Sequence, residues 1–188
     1  LGAQNFTTAT DVYNVGVGFN AGVSVTTGIQ NVLIGGLVGD ALTDADFNVA
    51  MGYAALGADT LGSKSTAIGH GALNVQNFTT ATDSFNTAVG YLAGAAVTTG
   101  VQNTLLGGLA GDALTDADQN VAIGYAALGA DTLGSRSVAI GRSALETQNF
   151  TTATNTYNIA IGYDAGAKIT TGIRNTLLGG LAGDAITD

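Results

Sequence analysis

A repeat with two nested periods constrains this sequence more than any other feature. The string Gln-Asn-Phe-Thr-Thr-Ala-Thr begins at Gln4, Gln76 and Gln148, which sets a 72-residue long period. Within that period a shorter unit, Asn/Ser-x-x-aliphatic-Gly, recurs in three 17-residue steps followed by one 21-residue step. The units begin at Asn14, Asn31, Asn48, Ser65, Asn86, Asn103, Asn120, Ser137, Asn158 and Asn175. Such columns form when each unit stacks on its neighbours, so the repeat predicts one continuous solenoid over residues 1–188.

The composition of each unit favours strands over helices. The fifth residue of every unit is glycine, and each further glycine would cost a helix about 1 kcal/mol. The apolar residues also lack the i, i+3, i+4, i+7 spacing of an amphipathic helix. Short β-branched and alanine-rich runs, such as Val121–Ile123, lie between turn-forming residues and read as strands. We therefore predict an all-β fold, a parallel β-solenoid (β-roll) of about ten 17–21-residue coils stacked ~4.8 Å apart into a rod roughly 50 Å long.

The strand segments are apolar on both faces. We assign the first and third residues of each strand to the coil interior and the second residue to the outside, because side chains alternate along a strand. A strand that is apolar on both faces is normally buried on both, and an apolar stripe left in water would be a large exposed patch. We therefore expect a homotrimeric rod. Its predicted interface consists of Leu33, Leu105, Ala122, Ala139, Ala160 and Leu177. The alternative is a lone solenoid that tolerates this outer column.

Charge and residue usage argue against several classes of function. The formal net charge is −9, with 14 acidic and 5 basic residues, so the chain lacks the cationic cluster that nucleic acid or an anionic membrane surface requires. No apolar run approaches the length of a membrane span, about 18 residues or more, which predicts no membrane insertion. Cysteine is absent, and the only histidine, His70, is replaced by Arg142 in the next long repeat. Without a nucleophile–base pair, the sequence predicts a protein that is not an enzyme and has no cofactor.

Two motifs carry a resemblance to known families. Ser65-Thr-Ala-Ile-Gly69 and Ser137-Val-Ala-Ile-Gly141, each followed by x-x-Ala, resemble the head repeats of YadA-type trimeric autotransporter adhesins. Asn120-Val-Ala-Ile-Gly-Tyr-Ala-Ala-Leu128 and Asn158-Ile-Ala-Ile-Gly-Tyr163 are similar to repeats in bacteriophage tail-fibre proteins. The resemblance covers essentially the whole chain, and it implies a left-handed parallel β-roll in a homotrimer used for attachment. The regular 21-residue fourth coil departs from the shorter adhesin repeat and favours a phage or phage-like fibre.

The four extra residues of each 21-residue coil predict a loop that protrudes once per four coils. Exposed loops on rigid scaffolds often bind ligands, and aromatic residues with threonine and asparagine suit a cell-surface glycan or receptor. The candidate binding residues are Phe78, Thr79, Thr80, Phe85, Phe150, Thr151, Thr152 and Tyr157. The alternative, which we favour at this point, is a staple whose aromatic rings pack against the next subunit.

An acidic segment, Gly39-Asp-Ala-Leu-Thr-Asp-Ala-Asp46, recurs at Gly111–Asp118 and suggests a weaker possibility, a Ca²⁺ site with carboxylate ligands. The candidate ligands are Asp40, Asp44, Asp46, Asp112, Asp116 and Asp118. The spacing does not match the calcium-binding nonapeptide repeat, so an acidic turn with solvated charges is the favoured interpretation.

We expect a structural and adhesive fibre segment that acts as a rigid shaft and host-attachment surface, outside the cell or on a virion. Leu1 is not a natural start, so the chain is expected to be an excerpt of a longer fibre. A bacterial trimeric adhesin head is one alternative. An ice-binding solenoid is another, because threonine recurs at a fixed place in every 17-residue unit, as at Thr26, Thr43 and Thr60.

Overall fold

The protein is described here by a computed structural model that covers all 188 residues. Ten strands of three residues form one parallel sheet, in the order in which they occur along the chain. They are β1 Val15–Val17, β2 Val32–Ile34, β3 Val49–Met51, β5 Thr66–Ile68, β7 Thr87–Val89, β8 Thr104–Leu106, β9 Val121–Ile123, β11 Val138–Ile140, β13 Ile159–Ile161 and β14 Thr176–Leu178. No helix is present. The predicted all-β parallel solenoid of about ten coils is therefore confirmed.

The strand register follows the repeat. Val32 pairs with Val49, one 17-residue coil later. Thr66 pairs with Thr87 across a 21-residue coil, so the extra residues do not shift the sheet. They are accommodated at the side of the rod by four two-residue strands in two pairs. These are β4 Gly62–Ser63 with β6 Thr82–Asp83, and β10 Gly134–Ser135 with β12 Thr154–Asn155.

Most units begin with asparagine because that side chain links successive coils inside the rod. Nδ2 of Asn31 donates to the carbonyl oxygen of Ala45 at 2.7 Å. Its Oδ1 accepts from the backbone N–H of Asn48, the equivalent residue one coil later, at 3.0 Å. The side chain thus satisfies a buried donor and a buried acceptor that the narrow coil leaves unpaired. Repetition of these bonds in successive coils forms an asparagine ladder.

The asparagine ladder shows that the strands are oriented opposite to the prediction from the sequence. Since asparagine lies inside, alternation places the second strand residue inside and the first and third residues outside. The predicted interface was wrong in its residues, because these side chains fill the core of a single chain. Leu33, Leu105, Ala122, Ala139 and Ala160 are 0% exposed, and Leu177 packs against the same core.

Large and small residues alternate in the interior so that the core is filled. The side chain of Leu33 occupies the space beside Gly39, where an added Cβ would lie 2.9 Å from Leu33 Cδ2. One coil later the arrangement is exchanged, since the strand carries Ala50 and the large residue is Leu56. This complementary packing joins 28 buried apolar residues into one core along the rod.

The glycine after each strand makes a turn that other residues resist. Gly35 has a φ of 141°, and an added Cβ would lie 2.5 Å from the carbonyl oxygen of Gly52 in the next coil. Both the backbone conformation and the lack of space therefore require glycine. The next residue, Gly36, is different. Its φ is not in the left-handed region, and an added Cβ would meet only the Tyr53 ring at an ordinary 3.5 Å.

Candidate functional site

The outer side of the ten-stranded sheet is the main apolar surface of the rod. We call it the strand face and define it as the first and third residues of the ten strands. These are valine, isoleucine, leucine or methionine except at Thr66, Thr87, Thr104 and Thr176. All are partly or fully exposed, while the second residues are buried in every coil that has a neighbour on both sides. The apolar stripe predicted from the sequence exists, but with the opposite set of side chains.

Two columns of residues border the strand face, and all but three glycines among them carry large side chains. The leading ridge is the residue before each ladder asparagine or serine: Tyr13, Gln30, Phe47, Lys64, Phe85, Gln102, Gln119, Arg136, Tyr157 and Arg174. The trailing ridge is the second residue after each strand: Phe19, Gly36, Tyr53, His70, Tyr91, Gly108, Tyr125, Arg142, Tyr163 and Gly180. Every side chain of the two ridges is exposed. The surface is therefore an apolar floor between two walls.

The leading ridge holds large side chains in a strained backbone conformation. All ten of its residues have a left-handed φ, from 46° at Tyr13 to 65° at Arg136. Glycine or asparagine adopts this conformation at lower cost, whereas other residues lose roughly 1–2 kcal/mol. No glycine or asparagine occupies the column. The left-handed φ is not particular to this column, since the buried core residues Leu56 and Leu73 share it, at 53° and 48°. The leading ridge differs from them because its large side chains are exposed.

Positive charge is concentrated on the two ridges. Four of the five lysine and arginine residues lie there, at Lys64, Arg136, Arg142 and Arg174, together with His70. The strand face and both ridges contain no aspartate or glutamate. The acidic residues lie outside this surface, and two of them adjoin a ridge, Asp83 beside Lys64 and Asp164 beside Arg142. A chain with a net charge of −9 therefore has one face that is apolar, aromatic and locally basic.

Basic residues of the ridges stack on aromatic residues one coil later. On the leading ridge, Arg136 Nη1 donates to the Tyr157 hydroxyl at 3.0 Å and the guanidinium lies 5.7 Å from the ring centroid. On the trailing ridge, Arg142 makes the same pair with Tyr163, at 2.8 Å and 5.3 Å. Such cation–π contacts contribute about 0.5–1 kcal/mol at exposed sites.

The first long repeat has equivalent pairs at both ridges. Lys64 lies 5.3 Å from the Phe85 ring centroid, and the His70 and Tyr91 rings stack at 5.5 Å. Lys64 also forms an ion pair with Asp83 at 2.5 Å. All four pairs cross from a 21-residue coil to the next coil, which is where the asparagine ladder is interrupted by Ser65 and Ser137.

A buried polar network restores the interrupted ladder. Nε2 of Gln76 donates to Asp59 Oδ2 at 2.6 Å and to Ser65 Oγ at 2.9 Å. Its Oε1 accepts from Asn86 Nδ2 at 2.8 Å. Asp59 Oδ1 in turn accepts from the backbone N–H groups of Gly62 and Phe78. One glutamine therefore connects the coils before and after the 21-residue coil.

The same network recurs one long repeat later with Gln148, Asp131, Ser137 and Asn158. We did not predict it from the sequence. The signal in the sequence was a column in which Val25 and Leu42 are followed by Asp59 and Gln76 at the same place in the coil.

The two buried carboxylates lie in a region of low polarity without a basic partner. Burial is the largest effect on their pKa, and it raises the pKa of both Asp59 and Asp131 above 3.8. Hydrogen bonds from glutamine and from backbone N–H groups oppose this rise. Both side chains are hydrogen-bonded at each carboxylate oxygen, so their arrangement is that of a structural anchor rather than of an acid–base pair.

The loop predicted in the 21-residue coil is only partly available for binding. Phe78 and Phe150 are buried, at 5% and 7% exposure, and the prediction that they lie on a protruding loop was wrong. The Phe78 ring packs over Gly62 of its own chain because the glycine leaves room for it. The other candidates are exposed: Thr79, Thr80, Thr151 and Thr152 at the turn, and Phe85 and Tyr157 on the leading ridge.

The acidic turn is organised by hydrogen bonds between coils. Asp44 Oδ1 accepts from the Thr27 hydroxyl at 2.6 Å, and Asp46 Oδ1 accepts from the backbone N–H of Ile29 at 2.8 Å. Asp116 and Asp118 repeat these two bonds in the next long repeat. No group of three or more histidine, aspartate or glutamate side chains is placed to hold a metal ion, and this includes the six aspartates predicted from the sequence.

One shallow surface depression of about 300 Å³ opens between Leu109, Tyr125 and Gly129. Asp112 and Glu146 lie at its edge, and burial raises the pKa of Asp112. No enclosed cleft accompanies it. The regular threonine column lies elsewhere and is engaged in the chain, since Thr26 and Thr43 donate their hydroxyl protons to backbone carbonyls of the next coil.

No helix in the structure is long and apolar enough to cross a membrane. Comparison of the chain with protein-family models, with curated protein sequences and with solved structures finds no match in any of the three.

Proposed function

We propose that the chain is a structural and adhesive segment of a phage or phage-like tail fibre, in which copies associate through the strand face into a homotrimeric rod. The observation that carries the proposal is an apolar stripe that runs over all ten strands on the outside of an already complete core. A monomeric protein rarely leaves such a stripe in water.

The size of this face suits a stable association. Ten coils at ~4.8 Å span about 48 Å along the rod. The three-residue strand with one residue on each side is roughly 17 Å wide at ~3.3 Å per residue. The footprint is thus about 800 Å² per copy. In a three-fold rod it is divided between two neighbours, and in total it matches what one partner contributes to a standard protein interface. Rotational symmetry about an axis along the rod lets every coil meet its equivalent in the neighbouring copies.

The rest of the surface agrees with a shaft. Strands, asparagine ladder and core all run along the same axis, so the load between the ends is distributed over many equivalent hydrogen bonds. The exposed turns at Thr79–Thr80 and Thr151–Thr152 recur about 19 Å apart, at four coils of ~4.8 Å. We assign to these turns the contact with a glycan or receptor on the host surface, with the protein on a virion or outside a cell.

Two other candidate functions, a bacterial adhesin head and an ice-binding solenoid, fit the structure to different degrees. As a bacterial trimeric adhesin head, the chain would use the same assembly through the strand face and the same exposed turns. An ice-binding function is less favoured, because the threonine hydroxyls of the regular column donate to backbone carbonyls and are not free to form a regular array toward water.

The experiment is a mass measurement at several protein concentrations, by sedimentation or native mass spectrometry. We expect three chains per particle, and we expect Ile123→Lys with Ile140→Lys to release folded monomers. Replacement of exposed residues on another side, Asp44→Lys with Asp116→Lys, is the control and leaves the mass unchanged. A wild-type monomer at every concentration would rule out the proposed assembly.

A further inference from the structure

The two ridges are composed as if they faced one another. Each coil contributes one residue to each ridge, and we call such a pair a level. At four levels both residues are aromatic, as at Tyr13 with Phe19 and at Phe85 with Tyr91. Wherever the trailing ridge has glycine, the leading ridge of the same coil has a long polar side chain. These levels are Gln30 with Gly36, Gln102 with Gly108, and Arg174 with Gly180. Coils 72 residues apart are copies of one another, so the recurrence of each pairing follows from the long repeat. Within one chain the two ridges are separated by the whole strand, so no contact inside the chain accounts for the pairing itself.

The trailing-ridge glycines are not required by the fold. Neither Gly36 nor Gly108 has a left-handed φ, and an added Cβ at Gly108 would find only the Tyr125 ring at 3.7 Å and a carbonyl oxygen at 3.9 Å. Larger residues occupy the same place in seven other coils. A glycine that its own chain does not need is typical of a place where another backbone or a ligand approaches closely.

The leading ridge shows the opposite situation. Gln30 and Gln102 have φ values of 56° and 61°, where glycine is the favourable residue, and yet they carry long exposed side chains. Gln102 Oε1 accepts from Gln119 Nε2 of its own chain at 2.9 Å, so its Nε2 group is the part that is open to a neighbouring copy. Glycine is thus absent where the backbone favours it and present where the backbone does not require it. Both departures occur in the same coils and on opposite borders of the strand face.

We infer that neighbouring copies pack parallel and in register, with the side chains of Gln30 and Gln102 of one copy seated in the notches at Gly36 and Gly108 of the next, an arrangement that rests on the self-association proposed above. A two-fold or three-fold axis along the rod brings the leading ridge of each copy against the trailing ridge of its neighbour at equal height. An antiparallel pair would instead bring leading ridge against leading ridge. Only the parallel arrangement matches long side chains with notches and aromatic rings with aromatic rings.

The charged levels are compatible with this packing because their charges are engaged along the chain. Lys64 pairs with Asp83 and stacks on Phe85, while Arg142 lies 3.9 Å from Asp164 Oδ1 and donates to the Tyr163 hydroxyl. These side chains lean toward the following coil of their own chain. The register between copies is therefore set by the coils in which glutamine on one ridge meets glycine on the other.

Disulfide cross-linking tests the register directly, because the chain contains no cysteine. In the variant Gln102→Cys with Gly108→Cys, the extended strand Thr104–Leu106 keeps the two thiols of one chain roughly 10 Å or more apart. A disulfide needs Cα atoms within about 7 Å. Mild oxidation is expected to join copies covalently, and the band of highest mass on a non-reducing denaturing gel gives the number of chains.

The matched control is Gln102→Cys with Gly36→Cys, which places the thiols four coils, or about 19 Å, apart in height. Cross-linking of this control, or of Gln102→Cys alone to its own equivalent, would show a staggered or antiparallel packing and overturn the inference. An oligomeric wild type in which Gln102→Cys with Gly108→Cys does not cross-link would also overturn it and leave the proposed function in place. A monomeric wild type would overturn both.

Filling the notches gives an independent readout. Gly36→Tyr with Gly108→Tyr is expected to preserve the fold, since neither position is strained, and to raise the dissociation constant of the assembly at least about tenfold. Unchanged association of this variant would contradict the inference. The circular dichroism spectrum of its monomer shows whether the fold is intact.

Discussion

Nε2 of Gln76 donates a hydrogen bond of 2.6 Å to Oδ2 of Asp59, inside the rod and one coil away. This bond lies where the apolar interior column changes from Val25 and Leu42 to polar residues. It allows the asparagine ladder to continue across a coil that has four additional residues and begins with serine. The 21-residue coil is therefore an integral part of the rod, with a hydrogen-bonded connection of its own.

Loss of this bond is expected to destabilise the rod. Gln76→Leu leaves Asp59 Oδ2 without its partner in the interior and removes one of the two acceptors of Asn86 Nδ2, which keeps its bond to the Gly100 carbonyl oxygen. An unsatisfied buried group costs about 1–3 kcal/mol, and more when it is charged. We expect the free energy of unfolding to fall by roughly 2–4 kcal/mol in urea denaturation. Thr79→Leu, at an exposed threonine of the same 21-residue coil, is the control and stays within about 0.5 kcal/mol. Equal effects of the two substitutions would show that the buried network is not needed.

The stability of the protein is expected to fall as pH rises through the mildly acidic range. The pKa of Asp59 and of Asp131 is raised by burial above 3.8, so the folded chain retains protons that the unfolded chain has released. Their contribution is largest below the unfolded pKa of 3.8 and is lost as pH rises through the folded pKa. Asp112, whose pKa is also raised, acts in the same direction.

Urea denaturation between pH 3.5 and pH 7 measures this dependence. Asp59→Asn with Asp131→Asn is expected to show a smaller decrease in stability over this range, whatever its stability at one pH. A pH dependence as steep in this variant as in the wild type would assign the effect to other groups.

Adjacent leucines test which side of the strand faces the core. Leu105 is fully buried, so Leu105→Ala is expected to cost about 2–5 kcal/mol of unfolding free energy. Leu106 belongs to the strand face, and Leu106→Ala is expected to cost the isolated monomer under about 1 kcal/mol while weakening association. Unfolding at low protein concentration separates the two effects. A larger loss for Leu106→Ala in the monomer would show that Leu106, and not Leu105, faces the core.

Adjacent glycines test the turn. Gly107 has a φ of 136°, and an added Cβ would lie 2.5 Å from the carbonyl oxygen of Gly124. Gly107→Ala is therefore expected to cost roughly 3 kcal/mol or more. Gly108→Ala is the control and should be neutral or should stabilise the monomer by up to about 1 kcal/mol. Thermal unfolding of the two variants side by side gives the comparison, and a similar loss in both would contradict the turn geometry.

The repeat alone was sufficient to predict the architecture. The 17-residue and 21-residue steps, with glycine after each aliphatic residue, predicted parallel strands stacked in register, and Val49 does pair with Thr66. The orientation of the strands could not be predicted in the same way. A sequence shows that Leu105 and Leu106 are both apolar, but it does not show which one the asparagine beside them turns inward.

The strand face and its ridges could be predicted from the sequence only in part, for a related reason. Apolar residues on both sides of a strand indicated an outer stripe, but the ridges depend on backbone angles, which the sequence states only indirectly. Gln102 has a left-handed φ and Gly108 does not, the reverse of what their residue types suggest. Likewise Phe78 was assigned to a loop because its neighbours are polar, whereas the space over Gly62 allows it to be buried.

The sequence by itself determined the period, the strand type and the composition of each column, because stacking equivalent residues requires only that they recur at a fixed interval. The tertiary structure decided which member of each column lies inside. That choice depends on where the ladder asparagines find donors and acceptors in the next coil, and those partners, such as Ala45 for Asn31, are 14 residues away along the chain. Hydrogen bonding across coils, rather than hydrophobicity along one strand, set the face that remains open to a partner.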